Sequence, residues 1–260
     1  MSYSTILVED DGPVQTITLN RPERRNAMTP EMQGELIVAM EKARASACRV
    51  LVLAGAGQAF CSGLDLSELR AMNDKSAADH RLDAQRIATL FRTLYEFPKP
   101  TIAAVHGPAI AGGTGLALVC DFTLAVPGAR FGYTEVRIGF VPAMVSAFLA
   151  LQVGDKRARD LLLSGRLFDA QEGHRLGVVN EVVSPEELKG RVRALAEVLI
   201  ANSPSSLGAT KWLLAEQNKA WLDAAISYAM DANAQARETP DFQEGIAAFL
   251  EKRRPEWAQS

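Results

Sequence analysis

Two glycine-bearing stretches are the first places in this chain where residue type and spacing offer chemistry. One runs Ala59-Phe60-Cys61-Ser62-Gly63-Leu64-Asp65-Leu66, and the other His106-Gly107-Pro108-Ala109-Ile110-Ala111-Gly112-Gly113-Thr114-Gly115-Leu116. Each follows a strand-like run, and the second leads into a helical one. Glycines at a helix start leave backbone N–H groups uncovered at the positive end of the helix dipole, where they suit a phosphate or a developing oxyanion. On spacing alone, a tight turn with close backbone packing accounts for them at least as well. The glycines at 112, 113 and 115 do not make a G-x-G-x-x-G dinucleotide fingerprint, and no G-x-x-x-x-G-K-[ST] phosphate loop occurs. Cys48, Cys61 and Cys120 are scattered, odd in number and without metal-ligand spacing, so they read as reduced thiols of an intracellular protein. No metal site and no redox cofactor are expected.

The elements that must hold these loops follow from periodicity. Residues 6–8 and 14–19 alternate as strands around an Asp11-Gly12-Pro13 turn. A capped helix is predicted from Thr29 to about Ala47, and a buried strand over 49–54. Residues 74–97 have amphipathic helical spacing, broken by Pro98 and Pro100. A strand over 101–105, a helix over 116–121 and an extended run over 122–126 come next. A helix over 155–163 follows. Asp169 with Glu172 has the form of a capping box for a short helix that Gly177 ends. Residues 178–183 read as a strand, Ser184-Pro185 opens a long helix, and everything after Ser203-Pro204 is helical. The alternation predicts an α/β core with an all-helical appendage.

At 260 residues, 48% hydrophobic and 23% charged, the chain has the balance of a globular protein with a large core. A net charge of −3 gives no field that would draw in nucleic acid. The basic clusters at 156–159 and 252–254 read as solvated helix faces. No apolar run has the length of a signal peptide or a membrane span, so a cytoplasmic location is expected.

Taken together, several segments occur in a telling order. They are Leu19-Asn20-Arg21-Pro22-Glu23-Arg24-Arg25-Asn26-Ala27-Met28, the two glycine loops, Cys120-Asp121, Phe131-Gly132-Tyr133-Thr134-Glu135-Val136 and Phe249-Leu250-Glu251-Lys252-Arg253. In this order the chain resembles the crotonase family, the enoyl-CoA hydratases and isomerases, over nearly its whole length. The resemblance implies an α/β fold, a repeated ββα spiral core with a C-terminal helical oligomerisation region. Residues 1–200 would form the core with the CoA and acyl site, and 201–260 the helical region. It implies a first CoA-contacting loop with Arg25 and Ala27. One oxyanion N–H would come from Leu64, beside Ser62, Asp65 and Leu66, and the other from Gly112. Glu135 would be the acid/base, and Phe249 and Lys252 would help bind CoA across a subunit contact. CoA would enter with the acyl-CoA substrate rather than as a cofactor, and the family's trimers and dimers of trimers imply a homotrimer or hexamer.

One departure bears on the reaction. The family's hydratases typically carry two glutamates. The second matches Glu135, but the first falls where this chain has Gly115, flanked by Thr114 and Leu116. One carboxylate suits an isomerase that shuttles a proton between α- and γ-carbons. It also suits hydration in which the same group takes a proton from water and delivers it to the α-carbon. Some methylglutaconyl-CoA hydratases share the one-glutamate loop, and their segment is similar to Glu135-Val136-Arg137-Ile138-Gly139-Phe140-Val141-Pro142-Ala143. This favours an enoyl-CoA hydratase/dehydratase, with 3-methylglutaconyl-CoA as candidate substrate. The alternatives are an isomerase and a non-catalytic CoA-ester-binding protein. A distal carboxylate would need a cation, for which Lys75, His80, Arg81 and Arg86 are candidates, each equally readable as a solvated helix face. Tyr133 would share a side with Glu135 if that stretch is extended. It reads as a hydrogen-bond donor or as a packed aromatic. His106 is taken as structural.

Overall fold

The computed structural model describes residues 3–71 and 75–259, apart from the side chains of Leu66, Leu69 and Arg70. The chain opens with the hairpin β1 (Ile6–Asp11) and β2 (Val14–Leu19), whose residues 15, 17 and 19 face inward as the alternation requires. Next come α1 (Pro30–Ala45), β3 (Val50–Gly55), α2 (Leu66–Ala71) and α3 (Ala77–Tyr95). Thr29 caps α1 by accepting the Met32 N–H, and Ser76 and Asp79 form a reciprocal capping box on α3. β4 (Thr101–Val105), β5 (Ala109–Ile110), α4 (Gly112–Val119), β6 (Phe122–Ala125) and β7 (Arg130–Gly132) build the centre. α5 (Ala143–Ser164), β8 (Leu167–Asp169), α6 (Ala170–Leu176), β9 (Glu181–Val182) and α7 (Pro185–Ala201) complete the core, followed by α8 (Pro204–Ala236) and α9 (Pro240–Glu251).

Six strands form one sheet in the order β1-β2-β3-β4-β6-β9, antiparallel at the hairpin and parallel elsewhere. A second sheet, β5-β7-β8, stands beside it. Parallel strands need covered faces and read as continuous apolar runs, as residues 50–53 do; all four are buried. Both glycine loops leave the C-terminal ends of parallel strands, β3 and β4, so one edge of the sheet presents them together.

Several elements differ from their expected bounds, each for a local reason. α4 starts at Gly112 rather than Leu116, because tertiary packing overrides glycine's poor helix propensity: a Cβ at Gly113 would meet the Cys61 backbone. α5 runs back to Ala143 and bends at Gly154, whose φ of 75° is non-helical. The strand expected over 178–183 shrinks to two residues, since the Val178 and Val179 N–H groups close the end of α6 on Gly173 O. Asp169 caps α6, but Glu172 is engaged by Arg166 at 2.7 Å instead of completing a box. β7 stops at Gly132, and Glu135–Ile138 coils into a 3-10 turn, so Tyr133 and Glu135 share no strand face. Tyr133 is 1% exposed and belongs to the core.

Candidate active site

The first loop is pinned by one buried amide. Asn26 accepts the Arg21 N–H at 2.9 Å and donates to Ala56 O and Ala59 O, both at 2.8 Å. It thereby ties residues 21–27 to the start of the first glycine loop. That loop is stitched in turn by Ser62 N–H to Arg25 O, Met28 N–H to Gly63 O and Asp65 N–H to Met28 O. Asp65 is buried, paired with Arg21 at 2.8 Å and bonded by Ser67, which together hold its carboxyl below the usual range despite its burial.

The second loop carries strain immediately before its helix. Ala111 has φ 53° and ψ −123°, a region a non-glycine residue avoids. It is held there by its N–H to Gly132 O at 2.7 Å and by the buried Thr114 hydroxyl, which donates to Ala109 O and accepts the Gly132 N–H. Among the described residues, neither the Leu64 N–H nor the Gly112 N–H has an acceptor. For Gly112, that is the normal condition of a first-turn helical donor.

Between the two loops opens a cavity of about 690 Å³. Exposed Arg24, Arg25 and Arg253 stand on its rim, and buried Leu90, Phe91 and Val145 line its apolar interior. Glu135 is on its wall. The carboxyl Oε2 is buried without a hydrogen-bond partner, and burial pushes the pKa up to about 7. Its 3-10 turn is closed by the Gly139 and Phe140 N–H groups on Glu135 O. α9 packs directly on that turn, with Gly245 against the Ile138 backbone. Gly115 is enclosed: a Cβ there would collide with Val145 Cγ1 and lie 2.9 Å from Phe91 Cε1. Any side chain at this position would therefore start against Val145 and Phe91.

Of the residues singled out by sequence, Arg25, Ala27, Ser62, Leu64, Asp65, Gly112, Glu135 and Phe249 all line this cavity. The Leu66 side chain lies outside the described residues. Lys252 does not line the cavity; it ends α9 with a left-handed backbone, φ 57°. Its neighbour Arg253 does, paired with Glu244 and Glu251, so the cluster at 252–254 is not merely a solvated face. None of the four candidate cations on or before α3 reaches the cavity: Lys75 and Arg86 pair with Asp83, His80 is buried and Arg81 is exposed. Sequence reading missed Gln33, Asn233 and Arg253 as lining residues. Gln33 was findable as a polar residue on the buried face of α1, whereas nothing in the sequence marked Asn233. Two unbonded backbone donors and a buried carboxylate lining one largely apolar cavity have the chemistry to stabilise negative charge on a carbonyl oxygen while a proton moves nearby.

The family model described as enoyl-CoA hydratase/isomerase matches residues 9–260. A Thermus thermophilus protein named as an enoyl-CoA hydratase is 45% identical, the match covering 95% of this chain and 98% of its own. The 1,2-epoxyphenylacetyl-CoA isomerase of Escherichia coli is 33% identical, with 97% of each chain covered. An enoyl-CoA hydratase/isomerase from Xanthobacter autotrophicus Py2 has a crystal structure that superposes with a TM-score of 0.88. That pair is 33% identical, and the superposition covers 97% of this chain and 98% of that one. With sequence match and shared fold extending over almost every residue, the chain belongs to the enoyl-CoA hydratase/isomerase family of the crotonase superfamily and is an enzyme of that family.

Proposed function

We propose that the enzyme adds water across the 2,3-double bond of an enoyl-CoA thioester, or removes it, with Glu135 as its one acid/base. The observation that carries this reading is one carboxylate: of the three that line the cavity, Asp65 is tied to Arg21 and Glu23 is exposed, and Glu135 alone among the described residues has a buried, unpartnered oxygen, while a Cβ at Gly115 would already crowd Val145 and Phe91. In hydration, ionised Glu135 takes a proton from water as the water oxygen attacks C3. The thioester oxygen becomes an enolate, held by the N–H groups of Leu64 and Gly112. Glu135 then returns the same proton to C2, so no second acid is required. One such donor contributes on the order of 3 kcal/mol to the transition state. Acid–base work contributes roughly 10²–10⁴-fold. The rim arginines Arg24, Arg25 and Arg253 suit the CoA phosphates.

On the likeness of its 135–143 segment, 3-methylglutaconyl-CoA is the preferred candidate substrate. Double-bond isomerisation is the second reading. A lone carboxylate suffices for it, and the E. coli relative is named as an isomerase. Purified protein is incubated with crotonyl-CoA and 3-methylglutaconyl-CoA, following loss of enoyl-thioester absorbance beside a Glu135→Gln control. Glu135-dependent loss is expected. Silence with both, together with a gain of conjugated absorbance from a 3-enoyl-CoA, replaces hydration by isomerisation.

A further inference from the structure

Behind the acyl part of the cavity lies a polar cluster that the proposed chemistry does not use. Asn233 is 4% exposed, lines the cavity, and leaves its Oδ1 buried without a partner among the described residues. The amide oxygen and nitrogen are interchangeable by rotation, so the group offers either. One helical turn on, at the C-cap of α8, stands Arg237. Its side chain is fully buried. Nη1 donates to Asp83 at a long 3.3 Å, and Nε and Nη2 are buried with no partner among the described residues. Buried guanidinium donors left unpaired are rare because their desolvation is uncompensated.

The charges around Arg237 do not cancel. Asp83 already serves Lys75 at 2.8 Å and Arg86, so three cations face one carboxylate. Glu68, on a small void beside them, is a second carboxylate, so among the described residues three cations stand against two and one positive charge is in excess. That void, about 10 Å³ and room for a single water, adjoins Arg237 and Arg86. It shares Gln33, Leu64 and Ile87 with the main cavity. Gln33 is oriented by Arg86 Nε–H on its Oε1 at 3.1 Å, which leaves its NH2 group unbonded among the described residues. Phe140, whose ring lies 5.9 Å from the guanidinium, also lines the main cavity. Gln33, Leu64, Ile87 and Phe140 thus stand between Arg237 and the main cavity.

We propose that Asn233 and Arg237, with Gln33, form a subsite for a carboxylate at the far end of the acyl chain, so that the enzyme takes enoyl-CoA thioesters of dicarboxylic acids. The carboxylate supplies the acceptors these donors lack and offsets the excess positive charge. Because Arg237 lines the small void and not the main cavity, the subsite requires Gln33 and Leu64 to turn aside when the carboxylate enters. An apolar acyl end would leave the same donors unpaired, which is how a polar site discriminates. This assignment rests on the acyl-CoA reading of the cavity but not on its catalytic chemistry.

Binding of unreactive saturated thioesters therefore tests it independently of turnover. Glutaryl-CoA and pentanoyl-CoA have equal chain length and differ at the terminus. Calorimetry is expected to give glutaryl-CoA at least tenfold tighter binding, a preference lost in Arg237→Met and reversed in Asn233→Asp, where like charges meet. Circular dichroism confirms that each variant is folded. Asn233→Asp keeps a side chain of the same size, so the test stands if Arg237→Met does not fold. Equal affinity of the wild-type protein for both thioesters overturns the subsite and makes Arg237 a tie between α3 and α8, while hydration of crotonyl-CoA would stand. A preference for glutaryl-CoA without any hydration overturns the reaction instead and keeps the subsite. Failure of both thioesters to bind overturns both.

Discussion

At Glu135, burial and function pull in opposite directions, and the sign can be worked out. Its folded pKa near 7 lies above the unfolded value of 4.5. Between those values the folded protein holds a proton that the unfolded chain has released, so ionisation in place costs stability as pH rises through about 7. Glu135→Gln removes that cost. The variant is expected to be more stable than wild type at pH 8, by at most about 3 kcal/mol, with no such gain below pH 4.5. Thermal melts across this range check it. The same variant is expected to lose at least about 10²-fold in kcat. Hydration needs the ionised form, so wild-type kcat/KM should rise with pH around a midpoint near 7. Gly115 makes the complementary case. Restoring the family's other glutamate by Gly115→Glu forces a charged side chain into volume held by Val145 and Phe91. Overpacking alone costs about 1–3 kcal/mol, and an unpaired charge adds to it. The variant is expected to melt well below wild type and to hydrate no faster, as an enoyl-CoA assay with a melting curve would show.

Among the elements, the turn that carries Glu135 depends on α9. Gly245 meets the Ile138 backbone with no space for a methyl group, so Gly245→Ala should lift α9 from the turn and move the carboxylate. Misplacement on the scale of 1 Å costs on the order of 10²-fold. A tenfold or larger fall in kcat with unchanged far-UV dichroism is expected. Gly190→Ala in α7, with open space around it, should leave activity intact and gain up to about 1 kcal/mol of helix stability. This dependence was not legible in the sequence, and the reason is physical. Periodicity reports which face of an element is buried, so β1 to β4, the capped start of α1 and the helices beyond Ser203 could be read directly. It says nothing of contacts between distant backbones, and two- and three-residue strands such as β5, β7 and β8 have no period to detect. Glu135 was found through the resemblance of its segment, but the sequence left the backbone there open, extended being one reading. The coil that places it follows from the left-handed Gly139 and from α9, over 100 residues on. The two glycine loops were legible because glycine spacing marks loops, whereas Leu64 and Gly112 as donors came only from the family resemblance. Asn233 and Arg237 were not legible, because a buried polar residue in a long helix looks like a solvated one until its neighbours are known.

Across the whole molecule, α8 is the element least accounted for by one copy of the chain. Its residues 222, 226, 229 and 233 turn inward, whereas Leu214, Trp221 and Tyr228 are 56%, 46% and 76% exposed. These three stand seven residues apart, so they form one stripe along the helix, a spacing that packs helix against helix. Trp212 and Leu213 widen the exposed apolar area at its start. Large apolar side chains aligned this way on a water-facing helix mark a surface that is covered in use. The oligomer expected from the family resemblance, a homotrimer or a hexamer, supplies such a cover from a second copy. It also has a consequence for the cavity, whose rim includes Phe249, itself 52% exposed on α9 directly after α8. If the subunit contact shields that rim, breaking it should weaken CoA-ester binding as well as assembly. Light scattering on the eluting wild-type protein should give three or six times the mass of one chain. Trp221→Glu, a charge in the middle of the stripe, should shift it toward the monomer and raise KM for the enoyl-CoA by about tenfold, with kcat less affected. A wild-type monomer at micromolar concentration, or a monomeric Trp221→Glu with unchanged KM, would separate the stripe from the site.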